Sequence, residues 1–545
     1  MQAQTVSSPG LRQTMSWLHT WCGLVCGWLL CAIFLTGTLS VFREPITRWM
    51  EAAPLQLQQP SDLSEAQRRQ ALGLAEQHLA QHAPDASLWR IQLPQTTADG
   101  LQVFARSKRG NVQAALDWQT GETLAEPQTR STEGGRHFMS FHYSLQGGIA
   151  GFWAVGLVSM CMLVALVSGV IVHRRIFQDF FTFRPGKGQR SWLDAHNASA
   201  VLTLPFLFMI VYTGLAHFYT SYMPWPLQSV YGQDRSAYSR YQEALNAKVM
   251  NTRPADAAVA KPVVADLASL HLQAQRLLSQ PVVFVIVQRP EQGPATVRML
   301  ERQPDTGTSR RVLNSPESVT FDATSGHVLQ ASPHDAPRTT VSEVHPVISA
   351  LHFVTFGGWP MKWLYFFCGL MGTAMVATGS LLFAVKRKTK SGHEWGAATP
   401  QFYRCIDALN VAALAGSALA SIAYLYGNRL LPQGLEARSS WEIRVFFAIW
   451  ALSLLHALLR SPRQAWREQL WALALLCLAL PLLNAATTGQ HLGLYLAQGD
   501  GLRAGVELTC MALGLLAAWM AWRSAHYGLK PAPRARRAAP MGAGT

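Results

Sequence analysis

The sequence predicts an α-helical integral membrane bundle of about eight transmembrane helices. It adds two α+β domains outside the cytoplasm, and a four-helix core built from a tandem parallel repeat. Three observations predict this. Of 545 residues, 49% are hydrophobic and only 14% charged, too apolar a balance for an ordinary soluble enzyme. Eight apolar runs can cross roughly 30 Å of hydrocarbon at about 1.5 Å per residue. Histidine-to-glycine spacings also recur at matched places in two parts of the chain.

The runs lie at about 18–42, 149–172, 197–219, 360–385, 407–427, 441–460, 468–487 and 503–522. The first is an anchor rather than a cleaved leader: it is too long, lacks an A-x-A-like exit and runs on into "VFREPITRW". Lys and Arg set the orientation. Arg174, Arg175, Arg184, Lys187 and Arg190 follow the second run, "KRKTK" follows the fourth, and "LKPAPRARRAAP" lies near the C-terminus. All fall on one side if the N-terminus is cytoplasmic, so both termini are inside. The net charge of +15 is then a topology signal, and nucleic acid is excluded as a partner.

The expected organisation is the N-terminus and helix 1 (1–42), a first outer domain (43–140), and helices 2 and 3 with a basic loop (141–219). A second outer domain (220–350), helix 4 (351–390), four additional helices (391–525) and a basic cytoplasmic tail (526–545) follow. Each outer segment opens on a helical stretch, "SEAQRRQALGLAEQHLAQH" or "VADLASLHLQAQRLLS". Strand-like runs come next. Each closes on an Asp-x-x-x-Gly turn, Asp117 to Gly121 and Asp322 to Gly326.

The repeat is read from histidines. His19 precedes Gly37 by 18 residues and His196 precedes Gly214 by 18; His142 precedes Gly169 by 27 and His352 precedes Gly379 by 27. Span, outer domain and span are thus written twice in parallel orientation, related by an axis along the membrane normal. Such an axis sets His19 opposite His196 near the cytoplasmic surface and His142 opposite His352 near the outer one. Paired imidazoles suit the two axial positions of a haem iron. Zinc or copper is an alternative, although no Cys or carboxylate stands beside these histidines in ligand spacing. The four glycines serve either helix packing or close approach of a porphyrin. His173 shares the depth of His19 and is the alternative partner of His196, although its counterpart in the second copy is Phe383.

No C-x-x-C-H occurs, so any haem is non-covalent and of type b. None of the eight cysteines lies in an outer domain, so no disulfide holds those domains. There is no G-x-G-x-x-G after a strand and no Walker loop, which leaves flavin, nicotinamide and ATP sites unsupported. His217 and His345 read as outer-edge residues, His456 receives no role, and Asp407 is a candidate only through its place in a span.

The histidine-headed spans, the "LTG" and "YTG" pairs, "LHFVTFGG" and the α–β outer blocks resemble the PepSY-associated transmembrane family over residues 10–390. The stretch "HRRIFQDFFTFRPGKGQRSWLDAHNASAVLTLPF" is similar to its FoxB-like iron-uptake branch. The resemblance implies PepSY-like periplasmic domains and a bacterial inner-membrane protein with two b-type haems. It also implies electron transfer outwards to a ferric siderophore in the periplasm, that is, ferric reductase activity. The ligands it implies are His19, His142, His196 and His352, with His173 as an extra candidate. The electron donor would be a quinol or a cytosolic reductase. A rival reading makes the chain a siderophore or ion transporter, or a periplasmic binding and regulatory protein of the membrane. The last four spans lie outside the resemblance.

Overall fold

The computed structural model describes residues 10–54, 61–97, 99–107, 110–124, 129–173, 189–234, 237–238, 240–241, 266–289, 295–301, 317–332, 340–390 and 399–526. The basic tail beyond His526 and the loop residues Arg174, Arg175, Arg184 and Lys187 fall outside them. Among the described residues, eight helices are long and apolar enough to cross a membrane, and the chain is a multi-pass membrane protein.

The chain divides into two compact units: Met1–Ala52, Arg130–Leu204 and Gly369–Thr545 in one, Ala53–Thr129 and Pro205–Cys368 in the other. The first expected outer domain, 43–140, runs past this second unit at both ends, whereas the second, 220–350, lies within it. Residues 43–52 and 130–140 belong with the first unit because their apolar side chains, such as Trp49, Met50 and Phe138, are buried there.

In the first unit, α1 (Leu11–Ser40) leads into the short α2 (Arg43–Glu51). A nine-residue helix, α3 (Arg136–Ser144), precedes α4 (Gly148–Val172), from which it is separated by left-handed residues Leu145 and Gln146. Next come α5 (Gln189–His217) and α6 (Gly358–Lys390), each shared with the second unit. The last four spans are a fifth span, α7 (Thr399–Val411) continued by a π turn and α8 (Ser417–Leu430), then α9 (Arg438–Leu459), α10 (Pro462–Thr488) and α11 (Gly501–His526). Hydroxyls within the spans bond back to their own helix, as Thr36 does to the Ala32 carbonyl at 2.8 Å, so no polar group need face lipid. Small residues bring helices close: a Cβ on Gly27 would lie 3.0 Å from Ser380 Oγ.

The second unit holds one antiparallel sheet of seven strands: β1 (Leu88–Gln92), β2 (Leu101–Ser107), β3 (Gly110–Leu116), β4 (Val282–Gln288), β5 (Thr296–Glu301), β6 (Ser318–Asp322) and β7 (Val328–Ser332). Their order is β3-β2-β1-β4-β5-β6-β7. The two outer segments thus share one sheet, joined where β1 pairs with β4 from Leu88↔Gln288 to Gln92↔Phe284. Each three- or four-strand half would otherwise leave a row of unpaired backbone groups at its edge. Helices Glu65–His82 and Leu267–Leu277 supply the core with Leu72, Leu79 and Leu270 against Ile91, Val285 and Phe321. Full burial of each such side chain contributes about 1.5–3 kcal/mol.

Both expected turns are present and alike. Asp117 Oδ1 accepts from the Gln119 and Thr120 amides at 2.7 and 2.9 Å, and Asp322 Oδ1 from Thr324 and Ser325 at 2.9 and 2.7 Å. Gly121 and Gly326 then take φ of +75° and +70°, where a side chain is strained. The Thr120 and Gln119 amides hold the Asp117 carboxyl below its usual range. Burial works against that shift at Asp322, but the Ser325 amide and hydroxyl still hold its carboxyl low.

Candidate functional site

Four histidines share one local geometry. His19 Nδ1 meets the Ala165 carbonyl at 2.8 Å, His142 Nδ1 that of Ile33 at 2.8 Å, His196 Nδ1 that of Met375 at 2.8 Å, and His352 Nδ1 that of Ile210 at 3.1 Å. Each carbonyl lies four residues before a glycine: Gly169, Gly37, Gly379 and Gly214. A side chain at that glycine would cover the carbonyl and occupy the space of the ring. An added Cβ would approach His19 Cε1 to 3.0 Å, His142 Nδ1 to 2.6 Å, His196 Cε1 to 3.0 Å and His352 Cε1 to 2.8 Å. The glycines are seats for imidazoles, a role other than the helix packing or porphyrin approach expected from sequence.

The seating is reciprocal between neighbouring spans. His19 sits on Gly169 while His142 sits on Gly37; His196 sits on Gly379 while His352 sits on Gly214. The 18-residue spacing therefore separates a histidine from the seat of another histidine along one helix by about 27 Å. His142 belongs to the separate helix α3 rather than to the second span itself. Burial pushes its pKa down, against the opposing bond to Ile33.

A carbonyl only accepts, so Nδ1 of each ring is the protonated nitrogen and Nε2 carries the lone pair. Such an N–H to carbonyl bond fixes the tautomer and raises the basicity of the other nitrogen, as in metal-ligating histidines. Among the described residues, His19 and His196 use only Nδ1 in hydrogen bonds. Their ring centroids are 6.2 Å apart. Two imidazoles in trans on one metal, with bonds of roughly 2.0 Å and about 1.1 Å from nitrogen to ring centre, span roughly 6 Å. The donor set and spacing fit a bis-imidazole metal centre such as haem iron.

Around this pair lies a cavity of about 1010 Å³ lined by Leu24, Met162, Leu166, Met375, Val376 and Phe383 as well as Gly169 and Gly379. Its size suits a cofactor. Arg12, Ser16 and Asn197 also line it. His173 caps α4 and lines the same cavity, but it is His19 that has a glycine seat and faces His196 in ring contact. Among the described residues, no three His, Cys, Asp or Glu side chains gather as a metal site.

His142 lies in the first unit and His352 in the second. His352 has a further neighbour, the Thr213 hydroxyl oxygen at 3.3 Å from Nδ1. His217 and His345 stack with centroids 5.4 Å apart, and His217 Nδ1 is 3.0 Å from Ser349 Oγ. His456 Nε2 pairs with Glu468 at 2.7 Å. Sequence reasoning missed a buried network around Asn428, Arg429, Arg438, Glu442, Asn484 and Glu507. The available signal was the number of charged and amide residues inside or at the ends of the last four spans.

Residues 16–386 match the family described as the PepSY-associated TM region. A protein of Pseudomonas aeruginosa, described as the uncharacterized protein PA4219, is 25% identical over 410 residues, covering 72% of this chain and 96% of its own length.

Proposed function

Because this chain belongs to the PepSY-associated TM region family and two of its imidazoles stand ready to share one group, we propose that it is a b-type dihaem electron-transfer protein. In this reading it sits in the bacterial inner membrane with both termini cytoplasmic. It belongs to the iron-uptake branch and reduces ferric siderophore to ferrous iron on the periplasmic side. The observation that carries the reading is the His19–His196 pair, 6.2 Å between centroids with both Nδ1 atoms committed to backbone carbonyls.

When bound, a haem with two imidazole ligands supplies one-electron transfer and leaves no open iron position. The chain's part is to hold and insulate. His19 and His196 present Nε2; Gly169 and Gly379 let the rings reach the neighbouring backbone; Leu166, Met162 and Phe383 keep water away; Arg12 offers a cation to carboxylates at the edge of the group. His142 and His352 are the candidate ligands of a second haem, because each carries the same seat and the same Nδ1 bond. His173 is the reserve ligand. The donor is a quinol or a cytosolic reductase, and weaker hard-oxygen chelation of ferrous iron releases the metal. The two α+β segments are PepSY-like domains and the two halves are tandem copies under this reading.

The test is reduction of a ferric siderophore by purified protein in vesicles, with electrons supplied from the cytoplasmic side and ferrous iron trapped outside. The reading predicts trapped iron that is lost on His196→Ala. Colourless protein that moves or binds the chelate without reducing it would favour the transporter or regulatory alternative.

A further inference from the structure

The last four spans lie beyond the family match, which ends at residue 386. They carry a dense buried polar network. Arg438 and Glu442 pair at 2.5 Å with side chains 1% and 0% exposed, and Glu442 also accepts from Asn428 at 2.7 Å. A buried pair adds little stability over an apolar filling, so its outward partners are informative.

Those partners fall on two short stretches of backbone. Arg429 donates to the Trp49 and Met50 carbonyls, and Gln490 to that of Ala52, all at the end of α2. Arg438 donates to the Ser131 carbonyl at 2.7 Å, Thr132 donates to Glu442 at 2.5 Å, and Tyr424 donates to the Gly134 carbonyl at 3.0 Å, all just before α3. Arg130 returns the bond, donating to the carbonyls of Asn428 and Thr487 at 3.1 Å each. These two stretches flank the seat of His142: α1, which bears Ile33 and Gly37, runs on towards α2, and α3 bears His142 itself.

Helix α3 needs such help. At nine residues it is shorter than a helix that stands alone in water, about 12–15 residues. Left-handed Gly134 precedes it and left-handed Leu145 follows it, so neither flank extends it. One face holds His142 against the Ile33 carbonyl; beside it Phe141 packs on Phe446 and Trp450 of α9, with ring centroids 5.5 and 5.6 Å apart. His137 packs against Tyr424 with ring centroids 4.4 Å apart.

We infer that the last four spans are a brace that clamps Arg130–Ser144 to α2 and so fixes the His142 imidazole in its glycine seat. Tyr424, Arg438 and Glu442 are its positioning residues. The functional part of this inference rests on the proposed dihaem reading; the mechanical part does not.

The test uses the full chain in detergent or nanodiscs, with Tyr424→Phe as the mild variant and Glu442→Gln as the severe one. Hydrogen–deuterium exchange reads amides of 136–144 against 161–169, beside the His19 seat. Loss of one hydrogen bond should speed exchange by about tenfold in 136–144, with 161–169 unchanged. In haem-loaded protein, the spectrum of one haem should shift while that of the other holds. Exchange that is unaltered in both variants, or raised equally in both segments, would overturn the brace. Absence of haem from the wild type would sink the electron-transfer reading and leave the exchange result to decide the brace.

Discussion

The imidazole seats and the last four spans use buried polar groups in opposite ways. At the His19–His196 pair each ring makes one bond to backbone and turns towards a cavity of about 1010 Å³. In the last four spans Arg438, Glu442, Asn428, Arg429 and Asn484 are spent on one another and on backbone carbonyls. The first arrangement leaves Nε2 of each ring outside its hydrogen bonds; the second spends most of its polar atoms within itself, Arg438 Nε and Glu507 Oε2 excepted. A polar residue inside the bilayer therefore signals function, but whether it binds or braces depends on what its last lone pair faces.

The largest effect should come from filling a seat. Gly379→Val would drive His196 from its position, because even a lone Cβ would stand 3.0 Å from Cε1. The expected outcome is loss of about one haem's absorbance per chain, and retention of full haem would show that the seats do not place ligands. Gly37→Val should act likewise through His142.

Next comes the network. Glu442→Ala leaves the Arg438 guanidinium buried without its carboxylate and should cost roughly 3–5 kcal/mol, read as a lower unfolding temperature of the full chain. Haem bound at His196 should be unaffected in the fraction that folds. A variant as stable as wild type would mean that the network is not the brace it resembles.

A third imidazole sharpens the contrast. His271 is fully buried in the sheet domain, and neither ring nitrogen has a hydrogen-bond partner in the structure. Burial holds its pKa below the ordinary 6.5, helped by Arg69 and Arg68 and opposed by Glu65. The unfolded chain binds the proton more readily, so this group's contribution to stability is whole above about pH 6.5 and falls as pH drops towards the lowered folded value. His271→Leu should flatten that acid slope, measured by Trp fluorescence at pH 7 and 5. An unchanged slope would assign the acid sensitivity elsewhere.

Much of this was legible beforehand. Apolar runs gave the eight spans, and alternation such as Trp89 and Ile91 inward with Arg90 and Gln92 outward gave the strands. The paired Asp–Gly turns were legible because a carboxylate and a flexible residue are needed at fixed offsets. The β1–β4 junction was not, since backbone edges pair without a side-chain signature. Nor was the exchange of seats: spacing along the chain links His19 with Gly37, whereas contact links it with Gly169. The network was hidden because Arg429 or Glu442 read singly in a span resembles a solvated helix end.

The smallest effect separates the two turns. Asp322→Ala should destabilise more than Asp117→Ala, because Asp322 is 8% exposed and an unmet amide costs about 1–3 kcal/mol only when buried. Thermal unfolding of both variants reads the difference, and equal losses would show that burial adds nothing here.

The most direct measurement of the central claim is a reduced-minus-oxidised spectrum of purified protein, with haem quantified per chain in wild type and in His19→Ala and His196→Ala. The paired-imidazole account predicts a b-type spectrum that loses the same share in both variants. Colourless wild type, or full haem in both variants, would contradict it.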